Sequence, residues 1–136
     1  MRKVIFKTGL AVVAIGILSF AFMSFTAYQK PWDTPAKYKT MKNPTTSNAE
    51  NVAIGKALYN KHCKSCHGAT GKGDGPKAVN LKTKMRNLAS AEVKGLSPGE
   101  WYYRSFIGRD EMPNFETKIP EVNDRWYVIN YLLTLK

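Results

Sequence analysis

Cysteine is nearly absent from this chain of 136 residues: there are two, Cys63 and Cys66, with two residues between them. A pair that close cannot staple a scaffold, because a disulfide helps most when it closes a long loop. Histidine is as scarce, with His62 and His67 alone. A structural zinc site needs four ligands and would have to use sequence neighbours such as Cys66 and His67, which rarely chelate together. Acids are few, ten against 21 Lys plus Arg, for a formal balance of +11. That excludes an acidic disordered tail and points to anionic partners: an acidic protein face, phospholipid or nucleic acid. No segment alternates cleanly enough for a strand, and no internal repeat is visible. The length allows one modest domain plus an extension. Hydrophobic residues at 43% and aromatics at 12% supply a core, which excludes wholesale disorder. The two cysteines are there for chemistry.

What is present begins with Met1-Arg2-Lys3-Val4-Ile5-Phe6-Lys7, which carries three positive charges, followed by residues 8–29 without any charge. A basic region before an apolar one is the grammar of export, with the positive end held in the cytoplasm. The uncharged stretch exceeds the ~7–15 residues of a signal core and matches the ~20 of a spanning helix. No clean small-x-small cleavage site precedes Gln29. Residues 1–29 therefore read as a signal peptide or a membrane anchor, and either route carries the remainder out of the cytoplasm. Residues 30–48, with Pro31, Pro35 and Pro44 and then Thr45-Thr46-Ser47-Asn48, read as a proline-rich tether. Trp32, Tyr38 and Met41 within it suit packing on a folded domain as well as a solvated linker.

From Ala49 the pattern becomes helical. Ser47 or Asn48 can cap, Glu50 suits the first turn, and Ile54, Ala57 and Leu58 carry the helix on to Cys63. Gly55 inside it costs ~1 kcal/mol relative to Ala, which points to a close backbone approach by another helix. Residues 68–76 form a glycine-rich loop. A short helical stretch follows over 91–95. A better helix starts at Ser97-Pro98-Gly99-Glu100 and stops at Gly108. The last helix, over about 121–135, puts Val122, Trp126, Ile129 and Leu133 on one face. The expected fold is an all-α domain over residues 49–136. So small a domain has a limited core, and a large buried cofactor would supply much of it.

Cys63-Lys64-Ser65-Cys66-His67 reads C-x-x-C-H, the covalent haem-attachment motif. The thiols add across the two porphyrin vinyl groups, and the two-residue spacer matches the vinyl separation along one helical turn. The adjacent histidine then lies under the iron as proximal ligand. A thioredoxin-like dithiol would need a βαβ setting that this sequence lacks. His62 is expected to point away from the face that carries His67, since neighbouring positions on a helix differ by about 100°, and to be an exposed bystander. For the second axial position, the methionines beyond the N-terminal segment are Met41, Met85 and Met112. A methionine is by default a flexible core filler. Met112 precedes Pro113, which fixes φ and removes a donor, so this loop can hold a thioether rigidly. That places Met112 ahead of Met85, flanked by Lys84 and Arg86, and of Met41 in the tether.

Together these residues resemble the small monohaem c-type cytochromes of the His/Met type, in particular the exported bacterial members associated with cytochrome oxidases. The resemblance covers roughly 49–136. It is carried by Gly55-Lys56-Ala57-Leu58-Tyr59, the run over 63–68, Gly71-Lys72-Gly73-Asp74-Gly75-Pro76, Gly108 with Met112-Pro113-Asn114-Phe115, and Asp124-Arg125-Trp126 before Tyr131-Leu132. It implies a cytochrome c fold around one haem c per chain, bound through Cys63 and Cys66, with His67 and Met112 as axial ligands. It further implies that the first and last helices cross near Gly55, with Tyr127 or Tyr131 packed there. The Pro76 carbonyl would accept from Nδ1 of His67. Where relatives turn proline-rich after the loop, this chain has Lys82-Thr83-Lys84-Met85-Arg86, which leaves Arg86, Asn87, Trp101 and Tyr102 as candidates for the haem propionates.

The implied activity is one-electron transfer in a bacterial respiratory-type chain, as a carrier or an electron-transfer subunit without bond-making catalysis. The implied location is the periplasmic side of the inner membrane, anchored through residues 8–29 or soluble after cleavage. Residues 56–94 hold nine bases and two acids, net +7, whereas 100–136 hold five bases and six acids, net −1. The attachment half is thus suited to an acidic redox partner protein or a membrane oxidoreductase complex. Nucleic acid is a poor partner for an exported, haem-loaded chain. The competing reading is a haem-based small-ligand sensor in which Met112 is displaced and a gas binds the iron.

Overall fold

A computed structural model describes residues 31–136; the segment expected as signal or anchor lies outside the described residues. The fold is all-α. Its helices are α1 (Ala36–Lys39), α2 (Ala49–His62), α3 (Lys64–His67), α4 (Ala91–Lys94), α5 (Pro98–Tyr102) and α6 (Val122–Thr134). A 3₁₀ turn covers Ala78–Asn80, and α5 runs directly into a π-helical segment over Tyr103–Ile107. Among the described residues the one strand-like pairing is an isolated bridge between Arg109 and Met112.

The two long helices cross at Gly55. Asn48 starts α2, its side chain accepting from the Asn51 N–H at 2.8 Å. At the crossing, a Cβ on Gly55 would overlap the Tyr127 carbonyl of α6, so only glycine lets the two backbones touch. One turn further on, the rings of Tyr59 and Tyr131 pack with centroids 5.2 Å apart. Tyr127 thus supplies the backbone of the crossing and Tyr131 the aromatic ring.

Burial of α6 departs from the single stripe expected. Trp126 and Ile129 are buried, but Val122 and Leu133 are 50% and 45% exposed, while Arg125, Val128, Asn130, Tyr131 and Leu132 are buried. The cause is a second neighbour on the far side of the helix. The Asn43 amide donates to Asn130 Oδ1 at 2.8 Å, and Asn130 donates to Thr45 Oγ1 at 3.1 Å and the Thr46 carbonyl at 3.2 Å. A buried amide with its donors and acceptor met is held in one place. On α2, Ile54 likewise lies further out than expected, at 38% exposed.

Of the two readings open for the proline-rich stretch, packing on the domain is the one adopted. Trp32–Lys136 is a single compact unit. Tyr38 is buried, stacked on Tyr102 at 6.3 Å and tilted against Tyr103 at 4.8 Å. Trp32 meets Tyr103 edge-on at 6.0 Å. The close fit of α1 on α5 depends on Gly99, where a Cβ would overlap the Tyr38 carbonyl. Aromatic area buried this way offsets the entropy of ordering a short strap.

Helix α5 opens with a capping box. The Glu100 N–H donates to Ser97 Oγ at 3.3 Å, and the Ser97 N–H returns to Glu100 Oε2 at 3.0 Å. The regular helix expected as far as Gly108 instead widens into the π-helical segment before Gly108, at φ 71°, ends it. Such widened turns are rare and often lie at functional sites. Arg125, buried in α6, donates through Nη1 to the carbonyls of Glu116 at 3.2 Å and Ile119 at 3.1 Å, which fixes the turn entering that helix.

Candidate functional site

Cys63 sits at the junction of α2 and α3. Its N–H donates to the Tyr59 carbonyl at 2.8 Å, and its own carbonyl accepts from Cys66 at 3.2 Å and His67 at 2.9 Å. These bonds put both cysteines and the histidine on one turn. Both cysteines are free and half-buried. Burial, with Cys66 close by, pushes the Cys63 thiol up to about 12. A reactive dithiol has its pKa lowered instead. Burial also pushes the His67 imidazole down to about 4, so the ring is neutral in the physiological range, the form a metal ion requires.

The glycine-rich loop folds back onto this turn through its backbone. Gly73 donates to the His67 carbonyl at 2.9 Å, Gly75 to Cys66 at 3.2 Å and Lys77 to Ser65 at 2.8 Å. Carbonyls at a helix C-terminus have no partner within the helix, and this loop provides them. A Cβ on Gly75 would lie 2.5 Å from the Ser65 oxygen, so the approach needs glycine. The Tyr59 hydroxyl, fully buried, adds a 2.6 Å bond to the Gly68 carbonyl. The Pro76 carbonyl does not play the expected part: Nδ1 of His67 is buried with no hydrogen-bond partner. Pro76 itself is exposed beside Ser65 and Gly68 at the edge of an open groove.

Met112 lies beyond the π-helical segment, half-buried against the core. Its N–H donates to the Arg109 carbonyl at 2.9 Å, and the Phe115 N–H donates to Phe106 at 2.8 Å. At Gly108 a Cβ would lie 2.5 Å from the Pro113 oxygen, so the loop closes tightly on its own start. Two side chains fasten it to other segments. The Arg109 guanidinium lies 4.3 Å over the Trp32 ring. The Glu111 carboxylate accepts from the backbone of Lys82 at 3.0 Å and Thr83 at 2.7 Å, and these bonds hold its carboxyl below the usual range.

The other candidates fall into place around these two loops. Met85 packs against the glycine-rich loop, where a Cβ on Gly73 would lie 2.6 Å from its own. Met41, within the strap, packs half-buried against the edge of the core. His62 is not the exposed bystander expected. It is half-buried, edge-on to Phe115 at 6.4 Å, and burial lowers its pKa, because the last turn of α2 lies against the Met112 loop. Of the propionate candidates, Arg86 pairs with Glu92 at 2.6 Å, the Asn87 Oδ1 accepts from the Ala89 N–H at 2.9 Å, and Tyr102 donates to Glu116 at 3.3 Å. Trp101 differs: its indole Nε1 is buried without a partner. Buried donors are nearly always bonded, so this one fits a group bearing a carboxylate. Sequence reasoning missed Glu111, the Tyr59 hydroxyl and the Arg109–Trp32 contact. No local spacing announces them, since the partners of Glu111 lie 28 and 29 residues upstream.

The cytochrome c family model matches residues 52–136. The chain belongs to the cytochrome c family. Membership brings a c-type haem and a general electron-transfer role, in domains that generally perform no catalysis of their own. The residues present fit the group: two free thiols and a neutral imidazole on one turn, with a buried indole donor awaiting an acceptor. Among solved structures, this cytochrome c is similar to a chain of the reducing HAO-like protein complex Kustc0457/Kustc0458 of Kuenenia stuttgartiensis, at 26% identity and a TM-score of 0.60. The match covers 79% of this chain and 51% of that one, so this chain spans about half the length of its structural relative. No curated protein matches it. Among the described residues no helix is long and apolar enough to cross a membrane.

Proposed function

We propose that this cytochrome c carries one electron at a time through a haem c joined by thioethers to Cys63 and Cys66, with His67 and Met112 as axial ligands. The observation that carries the reading is the 63–67 turn, where two thiols and a half-buried neutral imidazole share one helical turn capped by the glycine-rich loop. The bound haem supplies the Fe(II)/Fe(III) couple. His67 is fixed from behind by the backbone bonds of the loop. Met112 offers a soft thioether that favours the ferrous state and raises the potential. The buried Trp101 indole N–H would be available to hold a carboxylate of the bound group. Held by His67 and Met112, the iron would have no position open to substrate, and the chain would orient and insulate the redox group.

The partner is an acidic redox protein or a membrane oxidoreductase complex, met on the periplasmic side of a bacterial inner membrane in a respiratory-type chain. The net +7 of residues 56–94 around the attachment turn supports docking there. Similarity to a chain from a multi-subunit redox complex supports working within an assembly. Residues 8–29 add membrane contact if they are retained.

Intact mass and a haem-stained denaturing gel test the attachment; protein without covalent haem ends the reading. Carbon monoxide tests the sixth ligand. Ferrous wild-type protein is expected to bind it poorly near neutral pH, and ready binding would favour the small-ligand sensor.

A further inference from the structure

The loops carrying the two proposed ligands are joined by a path of contacts outside the hydrophobic core. It begins at the His67 carbonyl, which accepts from Gly73 at 2.9 Å. Gly73, at φ 81°, lies so near Met85 that a Cβ there would come within 2.6 Å of the Met85 Cβ. Just upstream of Met85, the N–H groups of Lys82 and Thr83 meet the Glu111 carboxylate, one on each oxygen, at 3.0 and 2.7 Å. Glu111 adjoins Met112. Two parallel charge-assisted bonds fix the orientation of a carboxylate as well as its position. The 82–86 stretch belongs to no helix, so backbone ladders do not hold it there.

We infer that Glu111 is a positioning residue for the sixth ligand, its carboxylate clasping the Met112 loop to residues 82–83 so that the thioether stays on the iron. Loss of the clasp leaves the covalent attachment and His67 untouched but makes Met112 exchangeable. The inference rests on the reading of Met112 as axial ligand. Charge alone is not the role. Asp110, next in the chain, carries the same charge, but its carboxylate lies 3.6 Å from Arg109 Nε.

The test uses the full haem-loaded protein with Glu111→Ala, Glu111→Gln and, as a control for loss of an exposed acid away from the loop, Glu121→Gln. Two quantities are read: the methionine-to-iron charge-transfer absorption of the ferric form, and the rate at which imidazole replaces the sixth ligand. Glu111→Ala should speed replacement about ten-fold, the scale of two lost charge-assisted bonds at an exposed site. Glu111→Gln keeps one acceptor oxygen and should fall between, and Glu121→Gln should match wild type. An unchanged rate in Glu111→Ala, or equal acceleration by Glu121→Gln, overturns the inference while the ligand assignment stands. Absence of the charge-transfer absorption in wild-type protein overturns the assignment of Met112 as well.

Discussion

The loop behind His67 and the loop carrying Met112 are fastened by different means. On the histidine side, N–H groups of Gly73, Gly75 and Lys77 bond the carbonyls of the attachment turn directly. On the methionine side, the backbone bonds from Met112 and Phe115 stay within the 106–115 segment, and side chains make the long-range ties: Glu111 to residues 82–83 and Arg109 to Trp32. Backbone bonds survive most substitutions, whereas a side-chain tie is lost with one residue. Of the two proposed ligands, His67 is a fixture of the fold, and Met112 is expected to loosen without unfolding the rest.

The sharpest way to break this contrast is Gly75→Ala. The added methyl would meet the Ser65 carbonyl at 2.5 Å and backbone atoms of the turn at 2.7 Å, none of which can yield cheaply. A loss of about 3 kcal/mol is expected, at the top of the usual overpacking range, and chemical denaturation of the haem-loaded protein would show it. A wild-type midpoint would mean that the loop is softer than its bonds suggest. Tyr59→Phe should cost about 2 kcal/mol by leaving the buried Gly68 carbonyl without its donor. The methionine–iron absorption should meanwhile be unchanged, because the damage lies on the histidine side. Trp32→Ala reverses that pattern. It removes a cation–π and an edge-on aromatic contact, so about 1 kcal/mol of stability should go. Imidazole should then replace Met112 faster, and equal rates would show that Arg109 has no hold on the loop.

The smallest effect is one of pH. The Ser97 N–H bond to Glu100 holds that carboxyl below its ordinary value of 4.5. A lowered folded value means stability that is full above the ordinary, unfolded value and is lost as pH falls through the folded one. Glu100→Gln should flatten the acid limb of the stability curve. An unchanged limb would place the acid sensitivity elsewhere.

Features with local signals were legible in the sequence. Asn48 and Ser97 announced their helices, Gly55 announced a backbone contact, and the spacing of Cys63, Cys66 and His67 pointed to the c-type haem that family membership brings. Features decided by a distant neighbour were not. Val122 and Leu133 match the helical period, yet Asn130 faces the strap, so the buried face of α6 turned with it. The exposure of His62 depended on where the Met112 loop would lie. The widened turn at Tyr103–Ile107 has no compositional mark. The Pro76 hydrogen bond was expected from resemblance alone, with no local signal behind it, and Nδ1 of His67 has no partner.

The crossing at Gly55 also sets a schedule. It joins a helix just ahead of the attachment turn to the final helix, some seventy residues later. A contact so distant in the chain forms late, because the intervening loop must close first. A polypeptide emerging N-terminus first therefore displays Cys63 and Cys66 while Tyr127 has yet to arrive. The thioethers proposed at those thiols would have that interval in which to form, on a chain whose two long helices have not yet met at Gly55.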